Sequence, residues 1–185
     1  MRSIYKIVVC SLLTLSITSC EKDLLDKEQY QKEIYLIGAY NRVWTTEVSY
    51  SNEEVKTYFT VSSSGTLALD RDVNVKMKIN EELVDIYNKK YWTVLNEDKY
   101  YKSLDTDLYS IPSLENTVIK HAEGISAEVP VLIKTASLKI DQSYVIPVEI
   151  ESTTGYPVST SGYKMLVLLK LKNDYSGSYQ MSGHT

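Results

Sequence analysis

The chain has 185 residues, a formal net charge of −4 at pH 7 and 16 tyrosines against one phenylalanine. After removal of a leader, the remaining length fits one domain and is short for two. The basic residues are scattered and form no patch of the kind that binds nucleic acid, so we expect no nucleic-acid partner.

Residues 1–20 have the pattern of a secretory signal peptide with a lipoprotein-type cleavage site. Arg2 and Lys6 form a basic head, an apolar run of roughly ten residues follows, and small residues precede Cys20. Crossing a bilayer as a helix takes about twenty apolar residues, so the run should be removed rather than kept as an anchor. We predict that Cys20 becomes the lipidated first residue and holds the mature protein on a membrane.

The mature fold should lack a disulfide, because Cys10 leaves with the signal peptide and Cys20 carries the lipid. Its stability must then come from packing. Residues 21–32 are polar and predict a mobile tether between lipid and domain, with a short exposed helix as the alternative. The β-sandwich domain is expected to cover residues 33–172.

Alternating apolar and polar residues predict strands along most of that domain. The clearest alternation runs from Val73 to Ile79. Residues 165–171 are apolar on both faces and predict a central strand. Further strands are predicted at residues 34–40, 45–50, 56–61, 117–120, 129–133 and 144–150.

Two of these strands contain a proline. Pro130 and Pro147 cannot donate a hydrogen bond to a neighbouring strand. Prolines within sheets occur at edges or bulges for that reason. We therefore expect each strand to lie at an edge, or to carry a bulge, at its proline.

One segment departs from the β pattern. Leu83, Tyr87 and Tyr91 recur at four-residue spacing, which predicts a short helix over residues 81–91 that Asn80 can cap. Several short strands with one helical crossover indicate an all-β fold, an immunoglobulin-like antiparallel β-sandwich. Residues 173–185 predict a linker or the start of a second domain, and an ordinary frayed terminus is an equal alternative.

Nothing in the sequence indicates catalysis. Only two histidines are present, His121 beside a predicted strand and His184 next to the chain end. The sequence contains no nucleophile elbow, H-E-x-x-H pair, P-loop or dinucleotide-binding glycine motif. We expect a non-enzymatic domain without a cofactor.

Two carboxylate pairs are weak candidates for a calcium site. Asp70 with Asp72, and Asp105 with Asp107, alternate along the chain and could offer oxygen ligands. Neither pair stands in a spaced loop with a glycine and a distal glutamate, which calcium loops of the EF-hand type require. We expect no metal site.

The many tyrosines favour rings with one wet edge. A half-exposed sheet surface is the plain explanation, and a sugar-binding face is the functional one, because pyranose C–H groups stack on aromatic rings. The densest cluster supplies the candidate ligand-binding residues Tyr91, Trp92, Tyr100, Tyr101 and Tyr109. Trp44, with Tyr40 and Tyr50 nearby, is the second candidate.

Several motifs together resemble a known family. They are Leu83, Tyr87 and Asn88 at the end of the helix, the paired Tyr100 and Tyr101, Gly124 at a strand turn, and Tyr144, Pro147 and Ile150 in a Y-x-x-P-x-x-I strand. This order resembles the Bacteroidetes domain of unknown function 1735, the N-terminal domain of surface glycan-utilisation lipoproteins and of some family 18 endo-β-N-acetylglucosaminidases. Asn96 departs from the family's usual proline, and the turn from His121 to Gly124 is longer than typical.

The resemblance implies an immunoglobulin-like domain on an outer-membrane lipoprotein that faces the cell exterior, followed by a second domain. It also implies a non-catalytic role in glycan capture or presentation, by weak carbohydrate binding or as a spacer. The implied partners are the membrane through lipidated Cys20, a glycan and an outer-membrane uptake complex. Two alternatives remain: a fimbrial or adhesin subunit assembled by strand donation, and the accessory domain of a glycoside hydrolase.

Overall fold

The computed structural model describes residues 27–172 of the chain. The predicted signal peptide with Cys20, the first part of the predicted tether, and residues 173–185 lie outside the described residues. Across residues 27–172, no helix combines the length and the apolar character needed to span a bilayer.

The described residues form ten strands and one α-helix. The strands are β1 (Ile34–Leu36), β2 (Val43–Ser49), β3 (Glu54–Ser63), β4 (Val73–Ile79), β5 (Lys102–Ser103), β6 (Tyr109–Ser110), β7 (Thr117–Ile119), β8 (Ser126–Lys134), β9 (Tyr144–Thr153) and β10 (Lys164–Lys172). Helix α1 spans Glu82–Tyr91, and short 3-10 turns span Ala39–Asn41, Val94–Lys99 and Thr106–Leu108.

The strands form two sheets that enclose the main core. The first sheet has the order β1-β3-β8-β6, and the second has the order β2-β10-β9-β4-β7 with β5 also paired to β9. Most pairs are antiparallel, whereas β2 with β10 and β5 with β9 are parallel. The predicted all-β sandwich with one short helix is confirmed, and the two parallel pairs make the second sheet mixed.

Alternation along the strands decides which side chains enter the core. On β4, Val73, Val75 and Met77 are buried while the residues between them are exposed. Val131 on β8 and Val148 on β9 face the same core from the two sheets. Each fully buried aliphatic side chain of this kind contributes about 1.5–3 kcal/mol to folding.

The two prolines sit where a neighbouring strand is missing. The Pro147 carbonyl accepts a hydrogen bond from the backbone N–H of Asn80, at the point where β4 ends and before β5 begins. In a strand, the nitrogen and carbonyl of one residue point to the same side, so the Pro147 ring nitrogen faces this gap. Strand β9 is therefore central, and a gap in the ladder replaces the predicted edge or bulge.

Pro130 lies on a free edge of β8. Strand β6 pairs only with Ile133 and Leu132, so β8 has no strand neighbour beside Pro130 on that side. The N–H of Ser63, on β3, donates to the carbonyl of Ile125, just before β8. Every second residue from Ile125 onward therefore directs its backbone N–H and carbonyl toward β3, and Pro130, between two of these residues, directs its nitrogen and carbonyl away from β3. The edge position predicted for Pro130 is confirmed.

Helix α1 covers the outer face of the second sheet. Leu83 and Val84 of α1 pack on Val145 of β9 and Leu166 of β10, opposite the main core. This second cluster explains why β10 is apolar on both faces. The N–H of Glu82 donates to the Asn80 side-chain oxygen at 3.2 Å, which confirms the predicted cap.

The side chain of Asn88 ties the end of α1 to the start of β5. Its oxygen accepts a hydrogen bond from the backbone N–H of Tyr101 at 3.0 Å, and its nitrogen donates to the Tyr101 carbonyl at 2.9 Å. Asn88 is 5% exposed. Both bonds are thus partly shielded from water, and one side chain fixes how the crossover returns to β9.

Residues 28–32, before β1, contact the rest of the domain. The Glu28 carboxylate accepts hydrogen bonds from the backbone N–H groups of Thr66 at 2.5 Å and Leu67 at 3.4 Å. The Lys32 ammonium contacts the Glu28 carboxylate, donates to the Leu67 carbonyl at 2.7 Å, and belongs to a side chain only 10% exposed. We call Glu28, Lys32 and Gly65–Leu67 the N-terminal clip.

The clip depends on a glycine. Gly65 has a φ of +114°, and a Cβ added there would lie 2.7 Å from Cγ of Lys32. Because Gly65 has no side chain, its loop can lie close to the backbone near Lys32. The described part of the predicted tether is therefore held against the domain from Glu28 onward.

We predict that Asn88→Ala lowers the free energy of unfolding by about 2–3 kcal/mol, because it leaves the partly buried N–H and carbonyl of Tyr101 unpaired. Urea unfolding followed by circular dichroism measures the change. Asn96→Ala is the matched control, since the Asn96 amide bonds only the Thr93 side chain at the surface, and its cost should stay below about 0.5 kcal/mol. Equal costs for both variants would contradict the role given to Asn88.

We predict that Gly65→Ala opens the N-terminal clip and that trypsin then cleaves after Lys32 several times faster. Gly124→Ala is the matched control, because Gly124 also has a positive φ, of +134°, but nothing lies within 4 Å of an added Cβ. Both variants carry the same kind of backbone strain, and only Gly65→Ala also displaces Lys32. If both variants are cleaved at the same rate, the clip does not hold the segment.

Candidate functional site

The five candidate residues from Tyr91 to Tyr109 do not form one face. Tyr109 lies on β6 of the first sheet and packs against the main core. Burial raises the pKa of Tyr109 to about 12. Tyr91, Trp92, Tyr100 and Tyr101 belong to the crossover on the second sheet, so the expectation that Tyr109 joins them is wrong.

A stack of three rings occupies that crossover. Tyr87 lies between Tyr91, with ring centroids 4.5 Å apart, and Tyr101, at 5.2 Å and an interplanar angle of 11°. Burial, and to a lesser degree the nearby Tyr101, raises the pKa of Tyr87 to about 12. Tyr87 is not among the ligand-binding residues predicted from the sequence, although its spacing from Tyr91 places the two on one helix face.

The ring faces that remain near this stack are occupied by lysines. The Lys90 ammonium lies 5.3 Å from the centroid of Tyr91, and the Lys99 ammonium lies 5.7 Å from that of Trp92. Tyr100 is half-buried. A sugar ring would have to displace a lysine to stack on either of these two ring faces.

The carboxylates of the first candidate calcium pair have other partners. Asp70 bonds the Arg71 guanidinium and the Tyr156 hydroxyl, which together lower the pKa of Asp70. Asp72 lies 2.6 Å from Nδ1 of His121, and that contact lowers the pKa of Asp72.

The second carboxylate pair stands in an open cleft. Asp105 precedes the 3-10 turn Thr106–Leu108 and Asp107 lies within it, and Lys134 donates to the Asp107 carbonyl rather than to its side chain. Among residues 27–172, no three histidine, cysteine, aspartate or glutamate side chains are grouped to hold a metal ion.

The second candidate group also does not lie together, because Tyr50 is far from Trp44 and Tyr40. Tyr50 lies at the far end of β2, where its hydroxyl donates to the Ala136 carbonyl at 2.7 Å. Trp44 lies at the near end, and its ring rests on Gly38: a Cβ added there would be 2.7 Å from Cε3 of Trp44. Gly38 has a φ of +89°, so glycine is favoured by both space and conformation.

Tyr40 is the most open ring near this tryptophan. It stands in the 3-10 turn Ala39–Asn41 and is 65% exposed, while Trp44 is 37% exposed. The Tyr35 ring lies 6.2 Å from that of Tyr40 at an angle of 51°. We call Tyr35, Tyr40 and Trp44 the ring platform.

Two cations stand beside the platform. Arg42 ends the 3-10 turn with a φ of +64°, and it is the one residue other than glycine with positive φ in the described part of the chain. Arg42 and Lys164 line one groove, together with Ile86 and Tyr87 of α1. No local pattern in the sequence could have revealed that these two residues are neighbours, since the parallel pairing of β2 with β10 brings them together.

Comparison with known proteins places the chain in a family. A protein-family model described as an N-terminal domain matches residues 30–157. A sequence search of curated proteins finds no match.

Solved structures share the fold. A multidomain protein including DUF1735 from Bacteroides ovatus has a TM-score of 0.57 and 20% identity over 74% of this chain and 43% of its own. A candidate carbohydrate-binding protein from the same species has a TM-score of 0.57 and 19% identity, over 74% of this chain and 36% of its own. EndoBT-3987 of Bacteroides thetaiotaomicron, solved with a Man5GlcNAc product, has a TM-score of 0.53 and 18% identity, over 75% of this chain and 30% of its own.

At these identities the neighbours show a common fold, and the chain spans less than half the length of each of them. The family model covers well over half of the chain. The chain therefore belongs to this family of N-terminal domains.

Proposed function

We propose that this domain is a non-catalytic module of a surface lipoprotein that captures or presents glycans. The observation that carries the proposal is the ring platform, where Tyr40 and Trp44 stand open to solvent. The fold neighbours support the same direction, because one is a candidate carbohydrate-binding protein and another was solved with a Man5GlcNAc product.

The geometry favours the ring platform over the crossover as the place of glycan contact. A pyranose stacks its C–H groups on an aromatic face, so that face must be open. The rings of Tyr87 and Tyr101 cover each other, and lysines lie over Tyr91 and Trp92. Tyr40 has no such cover among the described contacts apart from the tilted Tyr35 ring at its side.

A spacer role is compatible with the same architecture. Strand β10 is paired with β9 up to Leu169 and with β2 up to Lys172, the last described residue. A domain joined beyond Lys172 would leave from a strand held firmly in the sheet. Its orientation relative to the sandwich would be constrained at that point.

In this proposal, the lipid anchor on Cys20 holds the module at a membrane. Seven residues lie between Cys20 and Glu28, and an extended chain spans at most about 3.6 Å per residue step, so the reach is below about 30 Å. Because the N-terminal clip begins at Glu28, the domain would stay close to the membrane surface.

Strand donation, the basis of the fimbrial alternative, is less favoured by the edges of the first sheet. Pro130 removes a donor from the free edge of β8. On the other edge, Ile34 of β1 donates to the Pro157 carbonyl and accepts a hydrogen bond from the N–H of Ser159. The accessory domain of a glycoside hydrolase remains compatible with the non-catalytic role proposed here.

We predict that Tyr40→Ala weakens binding to a recognised glycan about two- to tenfold, as expected for loss of one aromatic contact of roughly 0.5–1.5 kcal/mol. A panel of host and plant glycans screened by calorimetry measures the change. Tyr40→Phe should retain binding because the ring remains, and Trp92→Ala should leave affinity unchanged.

Loss of binding in Trp92→Ala with full binding in Tyr40→Ala would move the site to the crossover. Absence of binding to every glycan would remove the capture role and leave the spacer.

We predict that Cys20→Ala leaves the protein in the soluble fraction of cells, because the variant has no thiol to receive the lipid. Membrane fractionation with detection of the protein measures the distribution. Cys10→Ala is the matched control and should remain with the membranes. Membrane retention of Cys20→Ala would refute the lipid anchor.

A further inference from the structure

We propose that the turn after α1 is a second membrane contact, in which Val94 and Leu95 insert into the surface of a lipid bilayer. We call residues 92–95 the crossover tip. The inference rests on the proposed lipid anchor at Cys20, but its test does not use that lipid. It gives the domain an orientation on the membrane, with the second sheet toward the lipid and the first sheet away from it.

The crossover tip displays two adjacent aliphatic side chains to solvent. Val94 is 75% exposed and Leu95 is 89% exposed, the highest values for large apolar residues in the described part of the chain. Neither residue packs against the main core or against the cluster under α1. Because water contact with apolar surface is unfavourable, an apolar environment that receives both side chains is strongly favoured.

The residues around these two side chains are those that favour a membrane interface. Tyr91 is 48% exposed, and the Lys90 ammonium lies 5.3 Å from the centroid of its ring. The Lys99 ammonium lies 5.7 Å from the centroid of Trp92. Tyrosine and tryptophan are enriched at the level of lipid headgroups, and lysine stems can lie along apolar surface while the ammonium reaches a phosphate.

The indole of Trp92 gives an independent indication. Its Nε1 is shielded from water and has no hydrogen-bond partner within residues 27–172. An unpaired buried donor is unfavourable. Lipid headgroups offer carbonyl and phosphate acceptors beside apolar tails, so a tryptophan at that level can satisfy both its ring and its N–H. A rotation of the Trp92 ring toward lipid would remove the unpaired donor.

The tip and the lipid on Cys20 can reach one membrane together. Tyr87 and Tyr101 of the crossover pack on the cluster outside the second sheet, so the tip lies on that side of the sandwich. Stacked sheets are only about 10 Å apart, whereas the residues before the N-terminal clip reach up to about 30 Å. Tyr35, between buried Ile34 and Leu36 on β1, would then face away from the membrane.

Another protein is the competing occupant of the crossover tip. A stable protein interface buries about 800 Å² on each partner, far more than two side chains provide. Residues 88–90 before the tip and 96–99 after it are polar, so the apolar surface does not extend along the chain. A fluid lipid surface accepts a small projecting tip without a shaped pocket. The small size of the tip therefore favours lipid over protein.

The test uses residues 21–185, which contain every described element and lack the signal peptide and the lipid. Vesicles of brominated phosphatidylcholine quench the fluorescence of an indole that touches lipid tails, and ordinary phosphatidylcholine vesicles give the reference. Val94→Ser and Leu95→Ser are the test variants. Tyr58→Ser is the matched control, because Tyr58 is 40% exposed and lies between buried Thr57 and Phe59, on the outer side of the first sheet.

We expect brominated vesicles to quench the parent protein at millimolar lipid. Leu95→Ser should raise the lipid concentration for half of the quenching about tenfold or more, as for loss of one buried leucine side chain. Val94→Ser should act in the same direction, and Tyr58→Ser should match the parent. Trp92→Phe should remove most of the quenching, which assigns the signal to the tip rather than to Trp44. Thermal unfolding verifies that each variant is folded.

A contact of millimolar strength does not survive the dilution of a fractionation experiment, so it is compatible with release of Cys20→Ala from membranes. Absence of quenching in the parent protein at millimolar lipid would overturn the inference and leave the lipid anchor standing. Equal quenching of Leu95→Ser and the parent would overturn it as well. Self-association in solution that depends on Leu95, measured by sedimentation without vesicles, would assign the tip to a protein contact instead.

Discussion

The second sheet is covered on both faces, and most other features follow from that constraint. Strands β9 and β10 contribute Val148 and Val167 to the main core and Val145 and Leu166 to the cluster under α1. A sandwich of two sheets covers only the inner face of each sheet, so the outer apolar face of the second sheet needs another element to cover it. The helix is thus required by the sequence of β10, and the crossover that carries it brings the aromatic residues together.

Sequence reasoning succeeded where a repeating pattern determines burial. The strand from Val73 to Ile79 and the helix cap at Asn80 were predicted because they depend on local alternation and local hydrogen bonding. It failed for Tyr109, because closeness along the chain says nothing about which sheet a short strand joins. It also missed the pairing of Arg42 with Lys164, because they are more than a hundred residues apart and meet only through the parallel pairing of β2 with β10.

Aromatic residues serve two different purposes in this domain. Where rings cover one another, as Tyr87 and Tyr101 do, they supply packing energy to a crossover that has few aliphatic residues. Where backbone conformation displays a ring, as at Tyr40, the ring contributes little to stability and remains free for a ligand. Composition alone cannot separate these purposes, because both use tyrosine. The left-handed residues Gly38 and Arg42 on either side of the turn distinguish them.

Pro130, on the free edge of β8, affects how molecules of this domain interact when they lie side by side on one surface. Molecules confined to a plane meet one another far more often than molecules in solution, and an open strand edge is a template for pairing between them. A missing donor at Pro130 interrupts such a template at its centre. In the proposed lipid-anchored arrangement, copies of the domain can be crowded on one face of a membrane without pairing of strands between them.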